Sequence, residues 1–338
     1  MLKPSAVPND SLVAVVSPAS TPQAPRVERG LEALRALGYV PQPAEHILTR
    51  GPLYFAGTPA MRLRDLHHAF ADDDVRAIFS TRGGYGSNYI LEDLDLDLIA
   101  ESAKPFMGYS DLTAPMLWLL DQLEIPAFHG PMLSADFARE DGVHLPSLRA
   151  ALGGQPYSVG PAEGLRTLHP GRVRGTLYGG CLSILTALLG TPYEPQTEGK
   201  LLFLEDVSAK PYQIDRMLWQ LKQAGKLDGV RGIVFGEMLD CASPGAPPEL
   251  LDEVILRVFE DFQGPIAIGL RSGHVSRSNV TLTFGVDAEL HTANEASHSS
   301  DQCREERRKQ CCGRRQQQRD TRAVQDAGEP ITAKLVGT

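Results

Sequence analysis

A serine stands at a corner of the chain where nucleophilic chemistry is possible, in the segment Gly108-Tyr109-Ser110-Asp111. An apolar run precedes this segment and a helical pattern follows it, so a sharp strand-to-helix turn would expose the Ser110 hydroxyl. Free N–H groups at the start of the helix could stabilise a developing oxyanion. In the structural alternative, Ser110 only caps the helix and Asp111 complements its dipole. The nucleophile pattern G-x-S-x-G is incomplete, because Leu112 stands where its last glycine would be.

A glycine-rich turn, RGGYGS at residues 82–87, directly follows another apolar run. Glycines permit positive φ and let backbone N–H groups converge on an anion, either a phosphate or a tetrahedral intermediate. The segment fits the dinucleotide pattern G-x-G-x-x-G poorly, and no phosphate-binding G-x-x-x-x-G-K-[ST] occurs in the chain. A plain tight turn and a non-catalytic nucleotide-binding or anion-binding turn both remain open.

An acidic pair and a histidine follow two apolar runs in the second half of the chain. Glu205 and Asp206 end the run LLFLEDV, and His274 follows IAIGLRSG. Sites of α/β proteins gather at such strand ends, although a solvated acidic pair and a structural histidine are the simpler interpretations. A hydroxyl, an imidazole, a carboxylate and backbone donors are together the parts of a serine hydrolase.

Cysteines offer two further hypotheses. Cys181 could be a thiol nucleophile of an amidotransferase-like hydrolase, but it opens an apolar helix, where a buried inert cysteine is common. His298, Cys303, Cys311 and Cys312 could ligate zinc, but their spacing does not match a C-x-x-C frame. We predict no metal site and no disulfide framework.

The composition limits the classes of function. The net charge of −9 disfavours nucleic-acid binding. No window is apolar enough to span a membrane, and the N-terminus does not resemble a secretory signal, so we predict a cytoplasmic protein. Residues 295–338 combine charge, glutamine and cysteine with few large apolar side chains. We predict that they form a disordered tail.

Short β-rich runs alternate with amphipathic helices over the first 130 residues, which predicts one parallel sheet. A stretch rich in glycine and proline follows it. The predicted organisation is an N-terminal α/β domain over 1–145, a linker over 146–170, a C-terminal domain over 171–294 and the tail.

Four motifs in this order and spacing resemble the LD-carboxypeptidases, a serine peptidase family that also contains the microcin C self-immunity peptidases. They are TRGGYGS, GYSDLTA, LLFLEDVSAKPYQIDRML and SGHVSRSNVTLTFGVDAEL. The resemblance covers about residues 10–291. It implies a Rossmann-like (flavodoxin-like) N-terminal domain, a smaller β-rich C-terminal domain, a site between them and a homodimer. It also implies release of the terminal D-alanine from a murein tetrapeptide during cytoplasmic peptidoglycan recycling, with no metal or other cofactor. The compact linker favours this murein branch over the microcin branch.

Position by position, the resemblance implies a triad in which Ser110 is the nucleophile, His274 the general base and Glu205 the carboxylate that orients it. The backbone N–H of Asp111 and one from the Gly83-Gly84 turn would form the oxyanion hole.

Three further residues are our candidates for substrate binding, with two arginines among them as possible carboxylate anchors: Arg82, Tyr85 and Arg271. The chain departs from the family pattern at Cys181, where a small polar residue is more usual, and after VDAEL, where a final apolar strand is expected. The second departure puts closure of the C-terminal domain in question.

Overall fold

The computed structural model describes residues 4–293, except 243, 244, 246 and 248. The predicted tail over 295–338, with the zinc candidates His298, Cys303, Cys311 and Cys312, lies outside the described residues. Within the described part, no helix has the length and apolar character that crossing a membrane requires.

Strands and helices alternate through the first half of the chain. Its strands are β1 (Leu12–Val16), β2 (Val40–Pro43), β3 (Val75–Ser80), β4 (Phe106–Gly108) and β5 (Ala127–His129). Its helices are α1 (Ala24–Ala36), α2 (Pro59–Ala71), α3 (Leu96–Glu101), α4 (Thr113–Leu123) and α5 (Leu145–Leu152).

The second half alternates in the same way and ends in strands. The strands are β6 (Arg166–His169), β7 (Gly171–Cys181), β8 (Lys200–Glu205), β9 (Gly232–Gly236), β10 (Ile266–Leu270), β11 (Leu282–Phe284) and β12 (Asp287–Thr292). The helices are α6 (Leu182–Ala187), α7 (Pro211–Gln223) and α8 (Leu250–Val258). Part of the predicted linker is therefore regular, since α5 and β6 fall within or across its bounds.

The first sheet has the order β2-β1-β3-β4-β5, all parallel, which is the flavodoxin-like arrangement. At its far edge β11 pairs antiparallel with β5, with Leu282 opposite His129. The predicted α/β class and its parallel N-terminal sheet are confirmed. The sequence patterns did not predict that β11, a strand from the second half of the chain, completes this sheet.

The second sheet has four parallel strands, β7-β8-β9-β10, flanked by two antiparallel edge strands. β12 pairs with β7, from Asp287 opposite Thr176 to Thr292 opposite Gly171, and β6 pairs with β10. The segment that follows VDAEL in the sequence is thus the end of a paired edge strand, so this edge of the sheet is occupied within the described residues.

Apolar burial joins the two sheets into one body. One face of the first sheet packs on α1 and α5, through residues such as Val13, Phe79 and Leu148. The opposite face contributes to a larger cluster that runs on into the second sheet, where Leu117 of α4 and Phe203 of β8 are both buried. α4 therefore lies in the interior between the sheets, and the residues of its first turn are buried.

The predicted site residues lie at or just after the carboxyl ends of strands. The glycine-rich turn follows β3, Ser110 follows β4, Glu205 is the last residue of β8, and His274 follows β10. Carboxyl ends of parallel strands are where α/β proteins build their sites.

Candidate active site

Ser110 occupies a strained turn between β4 and α4. Its φ of +63° is left-handed, which costs a non-glycine residue roughly 1–2 kcal/mol. Residues Ser110–Leu112 form a short 3-10 turn that leads into α4, and the N-cap residue of α4 is Leu112 rather than Ser110. A strained serine on a strand-to-helix turn fits the nucleophile rather than the capping interpretation.

The glycine turn approaches Ser110 closely at Gly83. A Cβ added to Gly83 would lie 2.8 Å from the Ser110 Cβ, 3.1 Å from its Oγ and 3.2 Å from the backbone nitrogen of Asp111. Only glycine leaves this space open. The Ser110 hydroxyl, the Asp111 N–H and the Gly83 backbone thus gather around one small volume, as an oxyanion hole requires, whereas a Cβ added to Gly84 would meet Ser20.

His274 and Glu205 form a buried pair. His274 Nδ1 lies 2.8 Å from Glu205 Oε2, and the His274 backbone N–H donates to the same oxygen at 3.0 Å. Glu205 is fully buried, whereas the His274 side chain is 21% exposed. Gly273 allows this approach, because a Cβ there would lie 2.6 Å from Glu205 Cδ and because its φ is +90°. The carboxylate therefore fixes the orientation of the imidazole, whose other nitrogen stays available for proton transfer.

In this pair the pKa of His274 is raised and the pKa of Glu205 is lowered, so each partner favours the charged form of the other. Burial alone would lower the pKa of His274, but the charge and hydrogen bond of Glu205, with Asp206 and Asp136 nearby, raise it overall. Burial alone would raise the pKa of Glu205, but the charge and hydrogen bonds of His274 lower it overall. His274 is thus a stronger base than an isolated histidine, which suits it to accept a proton from Ser110.

Ser110 and His274 line one cleft of about 300 Å³. Arg82, Gly83 and Gly84 line it as well, so most of the predicted residues come together here. Glu205 is buried and is not a lining residue, and it contacts His274 from the protein interior.

Two substrate-binding candidates lie elsewhere. Tyr85 is part of an aromatic cluster with Tyr54, Phe55 and Tyr89. The Arg271 guanidinium donates to the carbonyl of Ala162 and is not among the residues that line the cleft.

A buried arginine that the sequence patterns did not predict forms a hydrogen bond to the glycine turn. Arg62 of α2 is 2% exposed, and its Nη1 donates to the carbonyls of Pro18 (2.8 Å) and Gly86 (2.6 Å). The Asp111 carboxylate in turn accepts the N–H of Ser87 at 2.7 Å. Helical periodicity alone places Arg62 on a helix surface and so gives no signal for its burial.

An acidic and a basic residue after β5 also face the cleft and were not predicted. Asp136 is buried and accepts the N–H of Met132 at 2.9 Å, and burial raises its pKa to about 6. Arg139 lies 3.3 Å from Asp136 and donates to the carbonyl of Val275, the residue after His274. The three-residue spacing of Asp136 and Arg139 was the available signal.

Cys181 lies close to the pair but is shielded. Its sulfur, a Glu205 oxygen and a His274 nitrogen lie within 4.8 Å of one another. Among the described residues, these three form the one cluster of side chains close enough together to bind a metal ion. Cys181 is 3% exposed, and burial together with the charges of Glu205 and Asp206 raises the pKa of its thiol well above the usual range. Such a thiol is a poor nucleophile.

We expect Gly83→Ala to lower kcat by about 100-fold, the effect of losing one oxyanion donor, because the added methyl group must displace Ser110 or the turn. Steady-state kinetics of the variant and the wild type, measured side by side, would check this. Gly190→Ala controls for backbone strain without a steric contact, since its φ is +74° but its added Cβ meets nothing within 4 Å, and it should cost stability while leaving kcat unchanged. Equal kcat values for Gly83→Ala and wild type would show that this approach has no catalytic role.

Two family models match the chain. The LD-carboxypeptidase N-terminal domain matches residues 13–130, and the LD-carboxypeptidase C-terminal domain matches residues 174–290.

Curated relatives match over most of the chain. It is 37% identical to the probable murein peptide carboxypeptidase of Bacillus subtilis (strain 168) over 302 residues, which cover 87% of this chain and 93% of the relative. It is 32% identical to the murein tetrapeptide carboxypeptidase of Pseudomonas aeruginosa, with 84% and 94% covered.

Solved structures share the fold. An MccF-like protein from Bacillus anthracis str. Ames superposes with a TM-score of 0.80 at 27% identity, covering 87% of this chain and 97% of that one. The muramoyltetrapeptide carboxypeptidase of Oxalobacter formigenes superposes with a TM-score of 0.74 at 28% identity, covering 84% and 96%.

Proposed function

Since this chain belongs to the LD-carboxypeptidase family and is a serine-type carboxypeptidase, as its sequence predicts, we propose that it removes the terminal D-alanine from murein tetrapeptide. The observation that carries this proposal is the arrangement of Ser110 and the His274–Glu205 pair around one cleft.

In the proposed mechanism, the Ser110 hydroxyl attacks the carbonyl carbon of the residue before D-alanine while His274 accepts its proton. The N–H groups of Asp111 and the Gly83-Gly84 turn stabilise the oxyanion of the tetrahedral intermediate. His274 then gives the proton to the departing amine, the C–N bond breaks, and D-alanine leaves. Water attacks the acyl-enzyme by the same route and regenerates Ser110.

We expect purified wild-type protein to convert murein tetrapeptide into tripeptide and free D-alanine, which mass spectrometry of the digest would resolve. Cys181→Ala should retain this activity, because its buried thiol has no step in the mechanism. An intact tetrapeptide after digestion with excess protein would contradict the proposal. Activity abolished in Cys181→Ala but retained in Ser110→Ala would favour the thiol alternative.

The second candidate is a microcin C-type self-immunity peptidase, and the superposition on the MccF-like protein favours it. Digestion of a microcin C-type peptide–nucleotide conjugate beside the tetrapeptide separates the two candidates. We expect the tetrapeptide to have the higher kcat/KM. A non-catalytic nucleotide-binding role predicts heat on titration with ATP and no turnover of either compound.

Our proposal includes the setting of the reaction. We propose a homodimer in the cytoplasm that acts on peptides released during peptidoglycan recycling.

A further inference from the structure

Three guanidinium groups line the cleft that holds Ser110 and His274: those of Arg26, Arg82 and Arg139. The one carboxylate among the lining residues, that of Asp136, is buried and already bonded to Arg139. The cleft therefore carries an excess of positive charge, which suits a peptide with a free C-terminal carboxylate. One of these three arginines must bind that carboxylate if the protein has the proposed function, on which this inference rests.

The chemistry of the leaving group restricts the choice. His274 must give its proton to the amine nitrogen of the departing residue. In an amino acid, the carboxylate carbon is two bonds from that nitrogen, a distance of about 2.5 Å. The cation that binds the carboxylate must therefore lie on the His274 side of the cleft, whereas the acyl part of the peptide extends away from it.

Arg139 is the arginine tied to that side. Its Nη1 lies 3.2 Å from the carbonyl oxygen of Val275 and 3.5 Å from that of Ser276, the two residues that follow His274. Its Nη2 lies 3.3 Å from Asp136 Oδ1, which holds the guanidinium from the other side. The other two arginines make their contacts on other elements. Arg26 donates to the carbonyl of Ala135, and Arg82 Nη2 lies 3.4 Å from the position of a Cβ on Gly84 in the glycine turn.

We propose that Arg139 is the specificity-determining residue of this enzyme and binds the C-terminal carboxylate of the departing D-amino acid. The Arg139 side chain is 31% exposed, whereas the Asp136 side chain is 2% exposed. The Arg139 guanidinium is thus accessible from the cleft and is paired with a buried carboxylate. Asp136 and the two carbonyls fix the plane of the guanidinium before substrate arrives. A planar guanidinium held in this way is suited to bind a carboxylate through two parallel hydrogen bonds.

The test compares a murein tetrapeptide with the same peptide amidated at its C-terminus. We expect the wild-type kcat/KM to be about 10- to 100-fold higher for the carboxylate form, the usual effect of hydrogen bonds to a charged group. Arg139→Ala should lose this factor for the carboxylate form in addition to any loss that both peptides share, so the preference disappears. Arg139→Lys should recover part of the preference, since it retains the charge but not the fork.

The readout is a ratio between two substrates, which a merely structural role of Arg139 would not move. Equal losses for both substrates in Arg139→Ala, or a preference that persists in it, would overturn the proposal. Arg26→Ala is the matched control and should keep the preference, because it removes an arginine from the same cleft on another element.

Binding to Ser110→Ala separates this inference from the proposed function. Calorimetric titration of that variant with the peptide and its amide reports the same ratio without turnover, and adding Arg139→Ala should abolish it. A wild-type protein that hydrolyses neither peptide would contradict the proposed function. In that case, a ratio of dissociation constants lost with Arg139 would still support the inference, and an unchanged ratio would overturn it.

Discussion

Ser110→Ala should abolish D-alanine release, with kcat reduced by about 10⁶-fold, the loss measured when a triad serine is removed. The reason is that, among the residues that line the described cleft, Ser110 is the serine on a strained turn, at φ +63°, and lies beside the proposed oxyanion donors. A sensitive assay of released D-alanine, with single turnover as a check, would measure the residual rate. Peptide binding should persist in this variant, because the proposed role of the hydroxyl is the attack on the carbonyl carbon and not the binding of the peptide.

The control for this substitution is Ser134→Ala. Ser134 lines the same cleft, but its hydroxyl donates to the carbonyl of Thr81 and has no step in the mechanism, so most of the activity should remain. Ser110→Gly adds a second readout, because glycine adopts φ +63° without strain. We expect it to be inactive and yet more stable than Ser110→Ala by about 1 kcal/mol in chemical denaturation. Wild-type turnover by Ser110→Ala would remove the serine mechanism.

Glu205→Gln should lower kcat by about 10⁴-fold, the effect of the same change in a Ser-His-Asp triad. The amide is nearly isosteric, but it removes the charge that outweighs burial at His274. His274 must be neutral to accept the Ser110 proton, so activity falls as the pH drops through its pKa. Glu205 raises that pKa above the ordinary value, and the acid limb of the wild-type profile of kcat/KM should lie correspondingly high. In Glu205→Gln the limb should move to lower pH, because only the lesser charge effects of Asp206 and Asp136 then oppose the lowering of the His274 pKa by burial.

Asp206→Asn is the matched control for Glu205→Gln, as the next residue along the same strand end. Its carboxylate accepts the backbone N–H groups of Ser183 and Val207 and does not bond to His274. We expect a much smaller loss of kcat and a smaller shift of the acid limb in the same direction, because Asp206 adds to the negative charge near His274. An acid limb that stays in place in Glu205→Gln would contradict the assigned role of the carboxylate.

The candidate site was predictable where it depends on local patterns. Ser110, Glu205 and His274 each follow a short apolar run that reads as a strand, and parallel strands bring their carboxyl ends to one edge. The support around them was not predictable in this way. Arg62 is buried because the carbonyls of Pro18 and Gly86 accept its N–H groups, a tertiary arrangement that helical periodicity does not encode.

Long-range contacts explain the other differences between expectation and structure. Arg271 looked suitable as a carboxylate anchor because it lies three residues before His274, yet its guanidinium turns to the carbonyl of Ala162. Arg139 is 135 positions away from His274 and nevertheless reaches the carbonyl of the next residue. Sequence distance is a poor guide to this cleft because its walls come from both sheets.

The antiparallel pairing of β11 with β5 has a consequence for biosynthesis. During translation, β1 to β5 leave the ribosome long before Leu282–Phe284, so the β5 edge of the nascent first sheet lacks this partner until about 150 further residues have been made. Such an edge is open to pairing with other chains. His274, the general base of the proposed triad, emerges only shortly before β11. A chain interrupted before residue 282 would therefore combine an exposed sheet edge with an incomplete core, and its fate would be aggregation or degradation rather than partial activity.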